Sequence, residues 1–141
     1  MILKIEKLKK NHINAVCDIL RRNLSDYKPQ KKMLNKLFTN YKKDKNFFSV
    51  VASLNKTIVG YGSIIIHSTI RGGKLSYIED IVVEKKFRNL GYGSKIIKCL
   101  KKISKEKKCY KIILQATNNN IDFYKKNAFK KKSISMINFL N

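Results

Sequence analysis

The chain has 141 residues, of which 43% are hydrophobic, and a formal net charge of +23 at pH 7. This length and apolar content fit one folded domain with a continuous core and exclude a disordered tail. No apolar run approaches the roughly 20 residues that a membrane-spanning helix needs, and residues 1–6 alternate in polarity, unlike a signal peptide. We therefore expect a single domain over residues 1–141, located in the cytoplasm.

The excess of positive charge has two interpretations. A basic surface can bind nucleic acid or an anionic membrane. Only four of the 32 basic residues are arginines, however, whereas nucleic-acid readers favour arginine together with exposed aromatic rings. Lysine and asparagine share A-rich codons, so the base composition of the gene can account for their abundance. We expect neither nucleic acid nor a membrane as partner, although the charge would attract a polyanionic small molecule.

The three cysteines are odd in number and show no C-x-x-C spacing, which argues against a disulfide framework or a zinc site. We expect no metal. Cysteines of this kind more commonly serve as small, buried apolar residues of the core.

The periodicity of the apolar residues predicts the first part of the fold in chain order. Residues 2–8 alternate as a strand, and Asn11 can cap a helix over residues 12–24. Pro29 suits the first turn of a second helix. Three strands follow at residues 47–54, 57–67 and 75–83, and Asn55-Lys56 joins the first two as a hairpin.

The period then changes from strand to helix. A helix is predicted from Gly91 to about residue 105, a short buried strand at residues 110–116 and a short helix at residues 118–126. A last strand is predicted at residues 133–140. The fold class is α/β of the α+β type, with strands dominating before residue 83.

One stretch carries most of the functional signal. A buried strand, residues 77–83 (YIEDIVV), runs into a glycine-punctuated turn, residues 87–94 (FRNLGYGS), that opens a helix. Gly91 and Gly93 let the backbone N–H groups point into one concavity at the positive end of the helix dipole, where a phosphate binds. Arg88 would hold the loop or contact the anion. A helix start with incidental glycines gives the same pattern, so the pattern needs its context.

In this context the R-x-x-G-x-G segment resembles the acetyl-CoA pyrophosphate signature of the GNAT superfamily of N-acetyltransferases. Two further blocks, residues 109–114 (CYKIIL) and 120–129 (NIDFYKKNAF), follow at the expected distance. Together with IEDIVV and RNLGYG they are most similar to the glucosamine-phosphate N-acetyltransferases, over about residues 77–129. The resemblance implies a mixed central sheet with a splayed pair of strands at the acetyl-CoA site. It also implies acetyl transfer to the amine of a phosphorylated amino sugar, in the first place glucosamine 6-phosphate, on the route to UDP-GlcNAc.

The same resemblance implies where acetyl-CoA lies. Backbone groups of Ile81, Val82 and Val83 would contact the pantetheine arm and the thioester, and Asn120 and Tyr124 would lie beside the sulfur. The pyrophosphate would be held by the loop, formed by Arg88, Asn89, Leu90, Gly91, Tyr92, Gly93 and Ser94.

The acceptor amine would meet Glu79 and Asp80, with Tyr110 and Lys111 nearby. An ammonium cannot attack, so Glu79 is the candidate proton acceptor, and Tyr124 is the candidate donor to the departing thiolate. The amine would attack directly in a ternary complex, without a covalent acyl-enzyme. In the absence of the motif, a carboxylate pair is more often a solvated face and a Phe-Tyr pair more often packing.

Two departures from the family pattern concern the acceptor. Gln115 stands where the family usually has an acidic residue, and residues 135–140 lack the arginine that the family tends to place there as a sugar-phosphate ligand. Either lysines replace that arginine, or the phosphate lies elsewhere, as in a 1-phosphate or a nucleotide-linked amino sugar.

Other interpretations remain open: another amino sugar, a peptide or protein amine, or a polyamine as acceptor, a non-catalytic acetyl-CoA sensor, or a basic nucleic-acid-binding module. The resemblance also implies a homodimer in which the last strand completes the partner's active site, and the apolar Ile134, Met136 and Phe139 suit such a strand.

Overall fold

A five-stranded sheet is the centre of the fold, with its strands in chain order from one edge to the other. The computed structural model describes residues 1–24 and 26–140. β1 to β4 are antiparallel neighbours, and β5 runs parallel to β4. The strands are β1 (Leu3–Lys7), β2 (Phe47–Leu54), β3 (Thr57–Ser68), β4 (Lys74–Val83) and β5 (Lys111–Ile113).

Four α-helices flank the sheet: α1 (Ile13–Asn23), α2 (Leu34–Lys43), α3 (Tyr92–Glu106) and α4 (Ile121–Lys126). Consecutive residues of β2 point to opposite faces, so each face has its own core. Val50 packs with Ile96 and Leu100 of α3, whereas Val51 packs with Val16 of α1. None of the helices in the described ranges is long and apolar enough to cross a membrane.

Helix α3 packs directly against β3, where two glycines face it. A Cβ atom on Gly62 would come within 2.4 Å of the Ile96 side chain, and one on Gly60 within 3.0 Å. The absence of these side chains lets the isoleucine fill the space against the strand. The close contact places the start of α3 beside the end of β4.

β4 carries a bulge opposite β3. Ile78 lies opposite Ile64 of β3 and Ile81 lies opposite Gly62, so Glu79 and Asp80 together oppose the single residue Ser63. Ile78 and Ile81 consequently both pack on the α3 side, although they are three residues apart. Such a bulge bends the strand and increases its twist.

Most elements agree with the sequence prediction, and the hairpin at Asn55-Lys56 is confirmed, since both residues have positive φ (45° and 69°). The helix starts are different. Asn11 does not cap α1, because Lys10–His12 form a 3-10 turn and His12 takes the cap position without a side-chain hydrogen bond. Pro29 precedes the second helix and accepts a 2.9 Å hydrogen bond from Arg21 at its carbonyl.

The prediction of a last strand at residues 133–140 is wrong for this single chain. Residues 130–140 have no regular secondary structure, and their side chains are exposed. A strand needs a neighbouring strand for its backbone N–H and C=O groups, and periodicity alone does not supply one. β5 is shorter than predicted for the same reason, because only Lys111–Ile113 pair with β4.

We predict that Gly62→Ala lowers the free energy of unfolding by about 1–3 kcal/mol, because the new methyl group overlaps Ile96 in a packed core. Gly73→Ala is the matched control. Its Cβ would meet only the Tyr110 ring, at 2.8 Å, and that half-exposed side chain can turn away. Urea unfolding of both variants tests the packing, and equal losses would contradict it.

Candidate active site

A cleft opens where β4 and β5 part. The two strands pair only from Leu75 opposite Lys111 to Tyr77 opposite Ile113. β5 ends there, whereas β4 continues through the bulge to Val83. The edge of β4 that faces away from β3 is therefore without a ladder partner over residues 78–83 of the described chain. Backbone groups on such an edge are available to a bound molecule.

Glu79 and Asp80 lie at the bulge beside this cleft. Burial raises the pKa of the Glu79 carboxyl, and the negative charge of Asp80 raises it further. Burial also raises the pKa of Asp80. Neither carboxylate forms an ion pair with a described lysine or arginine. Two adjacent carboxyl groups with raised pKa values are suited to accept a proton and to bind a cationic amine.

Arg88 braces the turn between β4 and α3. Its Nε donates to the Val83 carbonyl at 2.9 Å and its Nη2 donates to Asn23 Oδ1 at 2.8 Å. Beside it, Arg22 donates from Nε and Nη2 to Glu84 Oε1, at 3.0 and 2.7 Å. Of the two roles expected for Arg88, the structure displays the loop-holding one, and the end of α1 supplies its partner.

Glycine is required at the two positions of the loop for different physical reasons. Gly91 has φ +78°, caps α3 in the left-handed region and would have no atom within 4 Å of an added Cβ. In the described chain α3 has no side-chain cap, and the first helical bond runs from Lys95 N–H to the Gly91 carbonyl. The N–H groups of Tyr92, Gly93 and Ser94 therefore face the open side of the loop, as an anion site requires.

Gly93 instead allows α4 to pack against α3. A Cβ at this position would lie 2.9 Å from Cζ of Phe123. The sequence pattern predicts that both glycines curve the loop, and this is correct for Gly91 only. Asn89 supplies the second left-handed position of the loop, with φ +62°.

Tyr124 follows Phe123 on α4 and is thereby held near the loop. Its half-buried ring packs edge-on against Phe123 and Phe129, with centroid separations of 5.1 and 6.0 Å. Burial raises the pKa of the phenol, which keeps it protonated at neutral pH and able to donate. Asn120 lies exposed in the turn that precedes α4.

The predicted pantetheine-binding residues line the end of β4. Val82 is buried, and Ile81 and Val83 are half-buried against the α3-side core. The Val83 carbonyl already accepts the Arg88 bond. One edge of this segment pairs with residues 60–62 of β3, and the other edge has no ladder partner in the described chain.

Tyr110 and Lys111 are not brought near Glu79 within this chain. Tyr110 N–H donates to the Lys74 carbonyl at 2.9 Å, and Lys111 lies opposite Leu75. Glu79 lies four positions along the strand from Leu75, which corresponds to about 13 Å. These two residues therefore lie at the opposite end of β4 from the carboxylates.

Sequence reasoning missed the contribution of α1. Asn23 contacts Arg88 from 65 positions away in the chain. No local pattern marks an asparagine at a helix end as the partner of a distant arginine, so only the packing of α1 against β4 reveals it.

Most of the chain matches a known protein family. The family model described as the GNAT acetyltransferase family matches residues 13–129. The chain belongs to this family. The superfamily prediction is thus confirmed, and the protein is an acetyl-CoA-dependent N-acetyltransferase with the mixed sheet that the resemblance implied.

Several individual members of this family are similar to the chain. A glucosamine 6-phosphate N-acetyltransferase of Dictyostelium discoideum is 37% identical over 125 residues, which are 84% of this chain and 79% of the relative. Another, from Trypanosoma brucei brucei, is 40% identical over 75 residues, 52% of this chain and 51% of the relative. The crystal structure of glucosamine-6-phosphate N-acetyltransferase from Arabidopsis thaliana matches with a TM-score of 0.91 and 25% identity, covering 100% of both chains.

We predict that Gly91→Val raises the dissociation constant for acetyl-CoA by about tenfold or more, because the branched side chain disfavours the turn and fills the phosphate approach. Gly72→Val is the matched control. Gly72 also has positive φ (+89°) and open space, but it lies in the loop between β3 and β4. Calorimetry on both folded variants tests the assignment, and equal dissociation constants would refute it.

Proposed function

We propose that this chain transfers the acetyl group of acetyl-CoA to the amine of glucosamine 6-phosphate. The observation that carries the proposal is the bulge that sets Glu79 and Asp80 beside the cleft between β4 and β5. The names of the relatives support the choice of substrate. We further propose that residues 1–141 form one such domain and that it works in the cytoplasm, on the route from amino sugars to UDP-GlcNAc.

The reaction is a direct attack in a ternary complex. Glu79, directly or through one water, takes the proton of the acceptor ammonium, and the amine nitrogen attacks the thioester carbonyl. Backbone groups of residues 81–83 hold the pantetheine and the developing oxyanion. As the C–S bond breaks, Tyr124 donates its phenolic proton to the departing thiolate, so that free CoA leaves as the thiol. The nitrogen of the tetrahedral adduct loses its second proton, which passes through solvent to restore the Tyr124 phenol, and the amide product retains the acetyl group.

A covalent acyl-enzyme has no role in this scheme. Burial raises the pKa values of the Cys17 and Cys99 thiols, which disfavours the nucleophilic thiolate form. The scheme also uses no metal ion.

The substrate phosphate is assigned to lysine side chains. Residues 135–140 contain no arginine or lysine, so a fixed bidentate contact from that segment is replaced by flexible ammonium groups of this lysine-rich chain. Exposed ammonium groups attract an anion mainly through long-range charge, which salt screens.

We propose that the active form is a homodimer. The segment 133–140 exposes a run of large apolar side chains that a second copy could cover, which are Ile134, Met136, Ile137, Phe139 and Leu140. Contiguous apolar patches of this kind mark protein contacts more often than free surface.

The dimer is tested by sedimentation velocity. Met136→Lys with Phe139→Lys should yield a monomer, whereas Ile70→Lys should leave the dimer intact, since Ile70 is fully exposed elsewhere in the chain. A monomeric wild-type protein would contradict this part of the proposal.

The function is tested by a thiol-release assay with acetyl-CoA. Its arms are glucosamine 6-phosphate, glucosamine 1-phosphate, free glucosamine, a lysine peptide and a polyamine. We expect the highest kcat/KM with glucosamine 6-phosphate, and a preference over free glucosamine that weakens steeply with added salt. Turnover of the peptide or the polyamine alone would overturn the substrate and leave only the family.

Tyr124→Phe should lower turnover by about 10- to 1000-fold with little change in acetyl-CoA affinity, because the ring packing survives and only the donor is lost. Tyr77→Phe is the matched control, a half-buried tyrosine of β4 whose ring stacks on His67. Wild-type turnover in Tyr124→Phe, with chemistry rate-limiting, would reduce Tyr124 to a packing residue.

Glu79→Gln should depress turnover most at neutral pH and less as the pH rises. The base works in its ionised form, so wild-type activity rises with pH through the raised pKa of Glu79. In the variant the neutral substrate amine is the only reactive form, and its fraction grows with pH. Asp80→Asn should instead act mainly on KM for the sugar. A wild-type to Glu79→Gln rate ratio that is constant from pH 7 to pH 9 would remove Glu79 as the base.

A further inference from the structure

Helix α4 is short and depends on its contacts with α3. It has six residues, whereas isolated helices shorter than about 12 residues are marginal in water. One contact is made by Phe123, whose ring lies over Gly93, 2.9 Å from where a Cβ atom would be. A second contact is made by Lys101 of α3, which reaches the residue that ends α4.

The ammonium group of Lys101 lies in the turn that follows α4. It donates a hydrogen bond to the carbonyl of Asn127, the C-terminal cap of the helix, and lies 4.7 Å from the centre of the Phe129 ring. A cation is favourable at a helix C-terminus, where carbonyl groups lack helical partners, and over the face of an aromatic ring. Burial lowers the pKa of Lys101, and the charge of Lys105 lowers it further. The carbonyl and the ring offset this cost of burying the charge.

The same turn is built around Tyr124. The Tyr124 carbonyl accepts the N–H groups of Asn127 and Phe129, at 3.0 and 3.1 Å. Ala128 between them has φ +65°, a left-handed conformation that is unfavourable for a residue with a side chain. The Phe129 ring packs edge-on against the Tyr124 ring, with centroids 6.0 Å apart. The position of the Tyr124 ring therefore depends on a strained turn, and Lys101 holds that turn against α3.

We infer that Lys101 is a positioning residue: by holding the turn after α4 against α3, its ammonium group fixes the Tyr124 hydroxyl at the departing thiolate. The inference rests on the proposed function, since Tyr124 is the proposed donor in that reaction. A misplacement of about 1 Å at the reacting groups is enough to cost about 100-fold in rate.

Lys102 is the matched control. It follows Lys101 on α3, its side chain is exposed, and it pairs with the exposed Glu106 at 3.9 Å. Such a surface pair contributes little to stability. Replacing either lysine by methionine removes one positive charge at nearly the same distance from the loop at Gly91, so the long-range attraction for acetyl-CoA changes equally. A difference between the two variants therefore reports the contacts of Lys101 with the turn.

The experiment compares Lys101→Met, Lys102→Met, Tyr124→Phe and the double variant of Lys101→Met with Tyr124→Phe in the full chain. For each, kcat with chemistry rate-limiting, the acetyl-CoA dissociation constant and the exchange rate of the Phe129 amide proton by NMR are measured. Lys101→Met should lower kcat by about tenfold or more, up to the loss in Tyr124→Phe. Its acetyl-CoA dissociation constant should agree within about threefold with that of Lys102→Met.

The double variant separates positioning from cofactor binding. In the Tyr124→Phe background, Lys101→Met should lower kcat by less than about twofold further, because no donor remains to be misplaced. An effect on acetyl-CoA binding would instead persist in that background and raise the dissociation constant. Additive losses in the double variant, wild-type kcat in Lys101→Met, or an equal kcat loss in Lys102→Met would overturn the inference.

Amide exchange tests the contact without turnover. Exchange at Phe129 should become about fivefold faster or more in Lys101→Met and remain unchanged in Lys102→Met, since a lost contact at the turn favours its opening. Unchanged exchange at Phe129 in Lys101→Met would also refute the inference. Lys101→Leu decides if Lys101→Met does not fold.

Failure of the proposed function would be seen separately. The kinetics are measured with whichever amine is acetylated, so a different acceptor leaves the comparison unchanged. Wild-type turnover in Tyr124→Phe would remove the proposed donor and the inference with it. A slow Tyr124→Phe beside a fast Lys101→Met would keep the donor and refute only its positioning by Lys101.

Discussion

The two-against-one pairing of Glu79 and Asp80 with Ser63 is the constraint on which the site depends. β4 and β5 pair only as far as Tyr77, and from the bulge onward the outer edge of β4 has no ladder partner in the described chain. The bulge also brings the Glu79 and Asp80 carboxyl groups to one point of the strand, where we propose that the acceptor amine binds. A regular strand would alternate these residues across the sheet and keep the edge paired.

The bulge separates two electrostatic environments. Glu79 and Asp80 lie together with no described ion-pair partner in a protein of net charge +23. The start of α3, in contrast, leaves the backbone N–H groups of Tyr92, Gly93 and Ser94 without a helical partner. Under the proposed function, the cationic amine meets the carboxylates and the anionic cofactor meets the N–H groups, which would orient both reactants before any chemistry.

The local parts of this design were predictable because they depend on neighbours in the chain. The β2–β3 hairpin needs two residues with positive φ, which Asn55 and Lys56 provide, and the turn before α3 needs Gly91. The helix starts were less predictable, since Asn11 was expected to cap α1 but a 3-10 turn intervenes. Gly93 is needed because any larger residue would clash with the Phe123 ring, and no local sequence pattern predicts that contact.

By itself, the sequence determined the order of elements up to residue 126, the glycine turn before α3 and the pair of carboxylates, because these follow from spacing and backbone preference. Only the tertiary structure decided that Tyr110 and Lys111 lie far from Glu79 in the chain, that Asn23 holds Arg88, and that Ser63 meets the bulge. It also showed residues 133–140 without a strand partner. The physical reason is that register and strand pairing are set by contacts between distant segments, which periodicity within one segment does not specify.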